Sequence, residues 1–262
     1  MSPIEKRATA TLVSLFALRM IGLFLLMPVF AVLGETLDGA TPALIGLAIG
    51  IYGLTQCVVQ VPFGVMSDRW GRKPVIVFGL GLFAVGGLIA AMSHNIWGVI
   101  IGRGIQGAGA ISAAVMALLA DLTREENRTK AMAMVGLSIG LSFIGALVLG
   151  PVLGGLVGLQ GVFWITALLA VLGVPVCIWV VPTPVLSGVH RDTKAVPSLL
   201  KNVAKDSQLL RLNFGVFVLH MVMTSCFMMV PIALTKDVGV DIQHQWEVYL
   251  PALLVSFFVM VP

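Results

Sequence analysis

Runs of about twenty or more apolar residues recur along this chain, separated by short polar stretches, and no other feature limits the fold so strongly. They run roughly 11–33, 43–66, 74–92, 97–119, 131–157, 162–182 and 211–234, with an eighth beginning near 247. A helix of about twenty residues crosses the ~30 Å hydrocarbon layer. Helices satisfy their own backbone hydrogen bonds there, so repeated apolar runs of this length read as membrane-spanning helices. The chain has 58% hydrophobic and 11% charged residues, too little polar surface for a soluble domain of 262 residues. Twenty-nine glycines and thirteen prolines fit the same solvent, since both are frequent in membrane helices. The expected fold is all-α, a polytopic membrane protein.

The charges fall on alternate loops. Lys6 and Arg7 precede the first run, Arg69, Arg72 and Lys73 follow the second, and Arg124, Arg128 and Lys130 follow the fourth. Arg191, Lys194, Lys201, Lys205 and Arg211 occupy the connector after the sixth. Loops of the other parity carry Glu35, Asp38, Asp237, Asp241 and Glu247, with Lys236 their single basic residue. Basic loops stay in the cytoplasm, which places the N-terminus there. The same distribution explains the net charge of +4 without a nucleic-acid partner. The first apolar run is too long for a signal peptide and contains Arg19, so it is expected to remain as a span.

Six spans over residues 1–182, a linker over 183–210 and a renewed apolar pattern over 211–262 suggest a six-helix bundle followed by an incomplete second bundle. The last apolar run is about fourteen residues long, short of a crossing, so the chain is expected to be a fragment.

Two arginines lie well inside the apolar runs, Arg19 in the first and Arg103 in the fourth. A guanidinium at mid-membrane costs at least about 2.5–3.5 kcal/mol on insertion scales, so each needs a partner or a wet cavity. Spans one and four would correspond if the bundle holds two inverted three-helix repeats. The alternative is that either arginine reaches an interface or bridges helices. Tyr52, Gln56 and Gln60 share one helical face, which suits either a central cavity or hydrogen bonding between helices. His220 is a titratable candidate, although a lone membrane histidine also serves packing. No Asp or Glu lies deep in a span, and no residue declares itself the proton carrier.

The loop Gly64–Pro74, GVMSDRWGRKP, combines Gly64, Asp68, Arg69, Gly71, Arg72 and Lys73. Its glycines allow close contact and a tight turn, and Asp68 and Arg72 offer an ion pair. The loop resembles the signature between the second and third spans of the major facilitator superfamily. That resemblance implies a gating role, with Arg72 paired to Asp121 at the end of the fourth span and Asp68 facing a helix N-terminus of the second bundle. GRGIQGAG, with Arg103 and Gln106, resembles the family's fourth-span motif. GPVLGG, with Gly150, Pro151, Gly154 and Gly155, is similar to the fifth-span motif of drug/proton antiporters, with Ala146 where that pattern has Gly.

The resemblance implies alternating access around a midplane site and proton-coupled export of small amphipathic molecules, by a monomer in the bacterial inner membrane. Arg19, Tyr52, Gln56, Arg103, Gln106 and His220 are then cavity or coupling candidates, and the partners are the bilayer, protons and a small-molecule substrate. Uptake on the same fold and a non-transporting sensor or scaffold are the alternatives. Cys57, Cys177 and Cys226 lack metal-ligand spacing, and no nucleophile–base pair or nucleotide loop is present. Neither an enzyme activity nor a cofactor or metal is expected.

Overall fold

The computed structural model describes residues 1–183 and 205–260, so most of the predicted linker, 183–210, lies outside the described residues. Among the described residues nine α-helices follow in order: α1 Pro3–Phe24, α2 Met27–Leu33, α3 Pro42–Trp70, α4 Arg72–Met92, α5 Ile96–Ala108, α6 Ser112–Leu122, α7 Glu125–Pro175, α8 Ser207–Lys236 and α9 Trp246–Met260. The protein is an all-α, polytopic membrane protein. Six helical stretches among the described residues are long and apolar enough to cross a bilayer. The expected seven and the observed six differ at α7. That helix and the turn after it run 56 residues from Glu125 to Val180, a length of about 84 Å if straight, nearly three bilayer cores. It breaks at Gly158, where φ is 69° and ψ is −178°. The stretch therefore contains both the fifth and the sixth predicted span.

Two other predicted spans are interrupted. Span one divides into α1 and α2 just before Pro28, whose ring excludes the preceding helical hydrogen bond. Span four divides into α5 and α6 at Gly109, whose backbone leaves the helical region. Some helix starts carry side-chain caps. Ser2 and Glu5 form a capping box on α1, Thr41 caps α3, and Asn95 caps α5.

The two largest core clusters lie toward opposite ends of the helices, with a small one of Tyr52, Phe83, Ala84 and Ala170 beside them. Near the basic loops, Leu12, Leu15 and Phe16 of α1 pack with Ile76, Leu80, Val115, Leu118 and Val135. Near the acidic loops, Leu25, Phe30, Ile45, Ile96, Val162 and Phe163 form the second cluster. There the connections are tied together, because Asp38 N–H donates to the His94 carbonyl at 2.9 Å and Ile96 N–H to the Asp38 carbonyl at 3.1 Å. Helix α1 packs chiefly on α7, α4 on α5 and α7, and α3 on α5. Helix α8 rests on α2 and is otherwise almost entirely exposed.

Candidate functional site

At the basic-loop end, α3 runs into α4 through Gly71, whose φ of 96° disfavours any L side chain. The turn brings Arg72 back over the last turn of α3. Its guanidinium donates to Ser67 Oγ at 2.7 Å and to Asp121 Oδ2 at 3.2 Å, and also pairs with Asp68. One arginine thus joins α3, α4 and α6. Lys73 next to it donates to the carbonyls of Val181 and Ile178, the latter at 3.4 Å, at the C-terminal end of the α7 stretch. A cation suits that pole of a helix. Arg69 is exposed. Gly64 has room for a Cβ, which would meet Ala113 Cβ at 3.9 Å.

Glu5 adds a second tie at this end. Its carboxylate accepts from the Arg124 amide at 2.9 Å and from Asn127 Nδ2 at 3.4 Å. That fastens the start of α1 to the α6–α7 turn.

Deeper in the membrane, Arg19 and Arg103 are 2% and 4% exposed, and Tyr52 lies between them. Arg19 donates to Tyr52 Oη at 3.1 Å, while the Arg103 guanidinium sits 4.5 Å from the Tyr52 ring centroid. Arg19 also donates to Ser112 Oγ at 3.3 Å and to the Gly109 carbonyl at 3.4 Å. The Gly109 carbonyl lies at the α5–α6 break, where helix-end carbonyls lack partners within the helix. Arg103 donates to the Ala48 carbonyl at 3.4 Å and to Gln106 Oε1 at 3.2 Å. Gln106 in turn donates to Thr166 Oγ1 at 3.5 Å. Neither arginine has a carboxylate partner among the described residues. Neutral oxygens and an aromatic face stabilise both charges, a workable substitute in low dielectric.

The remaining candidates stand apart from this cluster. Gln56 and Gln60 are half-buried, and Gln60 Oε1 has no hydrogen-bond partner. His220 is exposed on α8 and its Nδ1 donates to the Val216 carbonyl of its own helix at 2.9 Å.

The GPVLGG face of α7 meets the interruption in span one. A Cβ on Gly150 would lie 2.8 Å from the Leu25 carbonyl oxygen and 2.9 Å from Pro28 Cγ. One on Gly154 would lie 2.8 Å from Val29 Cγ1. Pro151 is buried beside them. Glycines at these positions let the kinked backbone of α1–α2 approach α7.

The Major Facilitator Superfamily profile matches this chain over residues 12–262. The chain belongs to the major facilitator superfamily. YajR of Escherichia coli strain K12, an inner membrane transport protein, is 50% identical over 262 residues, which cover 100% of this chain and 58% of YajR. The chain therefore spans little more than half the length of that relative. The class H tetracycline resistance protein of Pasteurella multocida is 34% identical over 141 residues, 53% of this chain and 34% of that protein. Among solved structures, a bacterial homologue of the human lysosomal transporter Spinster, inward-facing and unoccupied, has a TM-score of 0.78 at 13% identity. It covers 94% of this chain and 58% of that chain, a likeness of fold.

Within this superfamily framework, Asp68 and Arg72 of the loop form an ion-paired cluster with Asp121 of α6, and Arg103 and Gln106 form a hydrogen-bonded and cation–π cluster with Arg19 and Tyr52. Sequence reasoning missed Ser67, Glu5 and Ser112. Ser67 was within view, five residues before Arg72. Glu5 and Ser112 meet partners 119 and 93 residues away, and no local pattern signals such pairs.

Proposed function

We propose that the protein is a secondary active transporter of the bacterial inner membrane, exporting small amphipathic molecules in exchange for protons by alternating access. Residues 1–182 act as a six-helix bundle of two inverted repeats, and 211–262 begin a second bundle beyond the 183–210 linker. The N-terminus and the basic loops face the cytoplasm, as the charge distribution favours. The observation that carries this reading is the Arg72 node, which joins α3, α4 and α6 through Asp68, Ser67 and Asp121 at the membrane edge. Such a node fixes the cytoplasmic end of these helices in one state and is released when they move against a second bundle. Arg103, Arg19 and Tyr52 form the polar centre nearest the expected midplane site, with Gln56, Gln106 and His220 as further candidates for coupling. The direction of transport rests on the GPVLGG face and on the relative named for tetracycline resistance. The protein acts as a monomer.

The test is ethidium movement in right-side-out and inverted membrane vesicles carrying the protein, with and without an imposed proton gradient. Gradient-dependent ethidium accumulation in inverted vesicles supports export. Accumulation only in right-side-out vesicles would establish uptake, and no movement of ethidium, tetracycline or norfloxacin in either would reject the drug reading.

A further inference from the structure

Helix α7 starts at the basic-loop end with Arg124 in the N-cap position, and that side chain makes no cap hydrogen bond. A guanidinium carries donors only, so an acceptor there must come from another element. Glu5 supplies it. Its Oε1 accepts from the Arg124 amide at 2.9 Å, and its two oxygens accept from Asn127 Nδ2 at 3.5 and 3.4 Å. The same carboxylate accepts from the Ser2 amide at 2.6 Å and completes the capping box of α1. In such a box an acid at the third helical position answers the N-cap amide of its own helix. Glu5 does this for α1 and, from outside, for α7 as well. Two positive helix poles therefore share one negative charge, whose side chain is only 6% exposed. The Arg124 guanidinium is 3.9 Å away and 74% exposed, so it adds little to the tie.

The α6–α7 turn that Glu5 holds also carries Asp121. That residue lies in the last turn of α6, three residues before Arg124. Helix α6 has 11 residues and is cut off from α5 by the break at Gly109, so α5 does not fix its far end. Between Asp121 and Arg124 the chain leaves the helix at Thr123, whose Oγ1 donates to the Leu119 carbonyl at 2.7 Å. So short a link has no slack, and whatever holds the Arg124 amide holds the end of α6. The contact at stake is Arg72 Nε to Asp121 Oδ2 at 3.2 Å. It sits at the long end of the N–H···O range, and a displacement of under about 1 Å breaks it. Helix α1 is a firm base for the tie, since Ala8 and Leu12 are fully buried and Met1 packs on the same core.

We propose that Glu5 is a positioning residue for the Arg72 node: by fastening the α6–α7 turn to the start of α1, it sets where Asp121 stands relative to Arg72. The role of that contact in transport rests on the alternating-access reading, whereas the positioning itself rests on the geometry alone. Glu5 acts through Asp121, so its loss should matter only while Asp121 can still pair.

Nitroxide labels at Trp70→Cys and Glu126→Cys, both exposed, report the distance from the end of α3 to the start of α7 by pulsed electron paramagnetic resonance. The background is Cys57→Ala/Cys226→Ala, with Cys177 buried. Glu5→Ala should lengthen and broaden the distance distribution. Glu5→Gln, which keeps one acceptor oxygen and serves if the alanine variant does not fold, should shift it the same way but less. Ser2→Ala weakens only the cap of α1 and should leave the distribution as in wild type. In vesicles, Glu5→Ala or Glu5→Gln should lower ethidium flux per amount of protein several-fold, yet add no further loss to Asp121→Asn. Unchanged distributions in the Glu5 variants, an equal shift in Ser2→Ala, or flux losses that add to that of Asp121→Asn would each overturn the proposal. A shifted distribution in a protein that moves no drug keeps the positioning role and rejects the export reading; drug export with unshifted distributions does the reverse.

Discussion

Tyr52 supports two buried charges with two different parts of one side chain. Its hydroxyl accepts from Arg19 at 3.1 Å, and its ring faces Arg103 at 4.5 Å. Tyr52→Phe removes the acceptor and keeps the ring, so it should cost about 1–3 kcal/mol, the usual penalty for a buried polar group left unpaired. Tyr52→Leu should cost more, because the cation–π contact is lost as well. Thermal unfolding of the purified protein in detergent checks the order; equal Tm values for wild type and Tyr52→Phe would remove the hydroxyl's role. Arg19 and Arg103 were legible as anomalies, since a guanidinium in an apolar run demands an explanation. Their partners were not legible. Gly109 and Ser112 become relevant only because α1 lies against the α5–α6 break, which no reading of span one alone reveals.

Among the elements, the glycines of α7 differ sharply in what surrounds them. Gly150 faces backbone, with the Leu25 carbonyl oxygen 2.8 Å from an added Cβ, whereas nothing lies within 4 Å of one on Gly136 or Gly140. Gly150→Ala should therefore destabilise by about 1–3 kcal/mol through overpacking. Gly136→Ala and Gly140→Ala should be neutral or stabilising by up to about 1 kcal/mol, the helix-propensity gain. Heat-induced aggregation midpoints of the three variants measure this, and equal midpoints would show that the α7 motif face does not seat span one. Gly71→Ala belongs to the same series for a different reason. A φ of 96° strains alanine, at a cost of order 1–3 kcal/mol. The motif GPVLGG was visible in the sequence, but its division of labour was not. The letters do not show which glycine meets a backbone and which meets a side chain.

For the whole molecule, the Arg72 node is the cluster on which the proposed gating rests. Asp68→Asn removes one charge from it while Asp121 and Ser67 still hold Arg72, so membrane insertion and yield should stay near wild type. On the proposed alternating-access reading, transport should fall, because the charge is lost at the membrane edge where that reading has the helices fixed and released. Ethidium flux normalised to the amount of protein in the membrane is the measurement, and wild-type flux at equal amounts would separate the node from gating. Asp121→Asn should act in the same direction.

The sequence alone determined the fold class, the apolar runs, the motif loop and the charge asymmetry, because each depends on local runs of residues meeting a uniform apolar solvent. Hydropathy needs no partner to be read. The tertiary structure decided where each crossing breaks, which oxygens stabilise the two arginines, and that Glu35 meets Lys236 across 201 residues of chain. Those outcomes depend on which helices lie side by side, and helix packing is set by small residues and kinks acting together over the whole bundle.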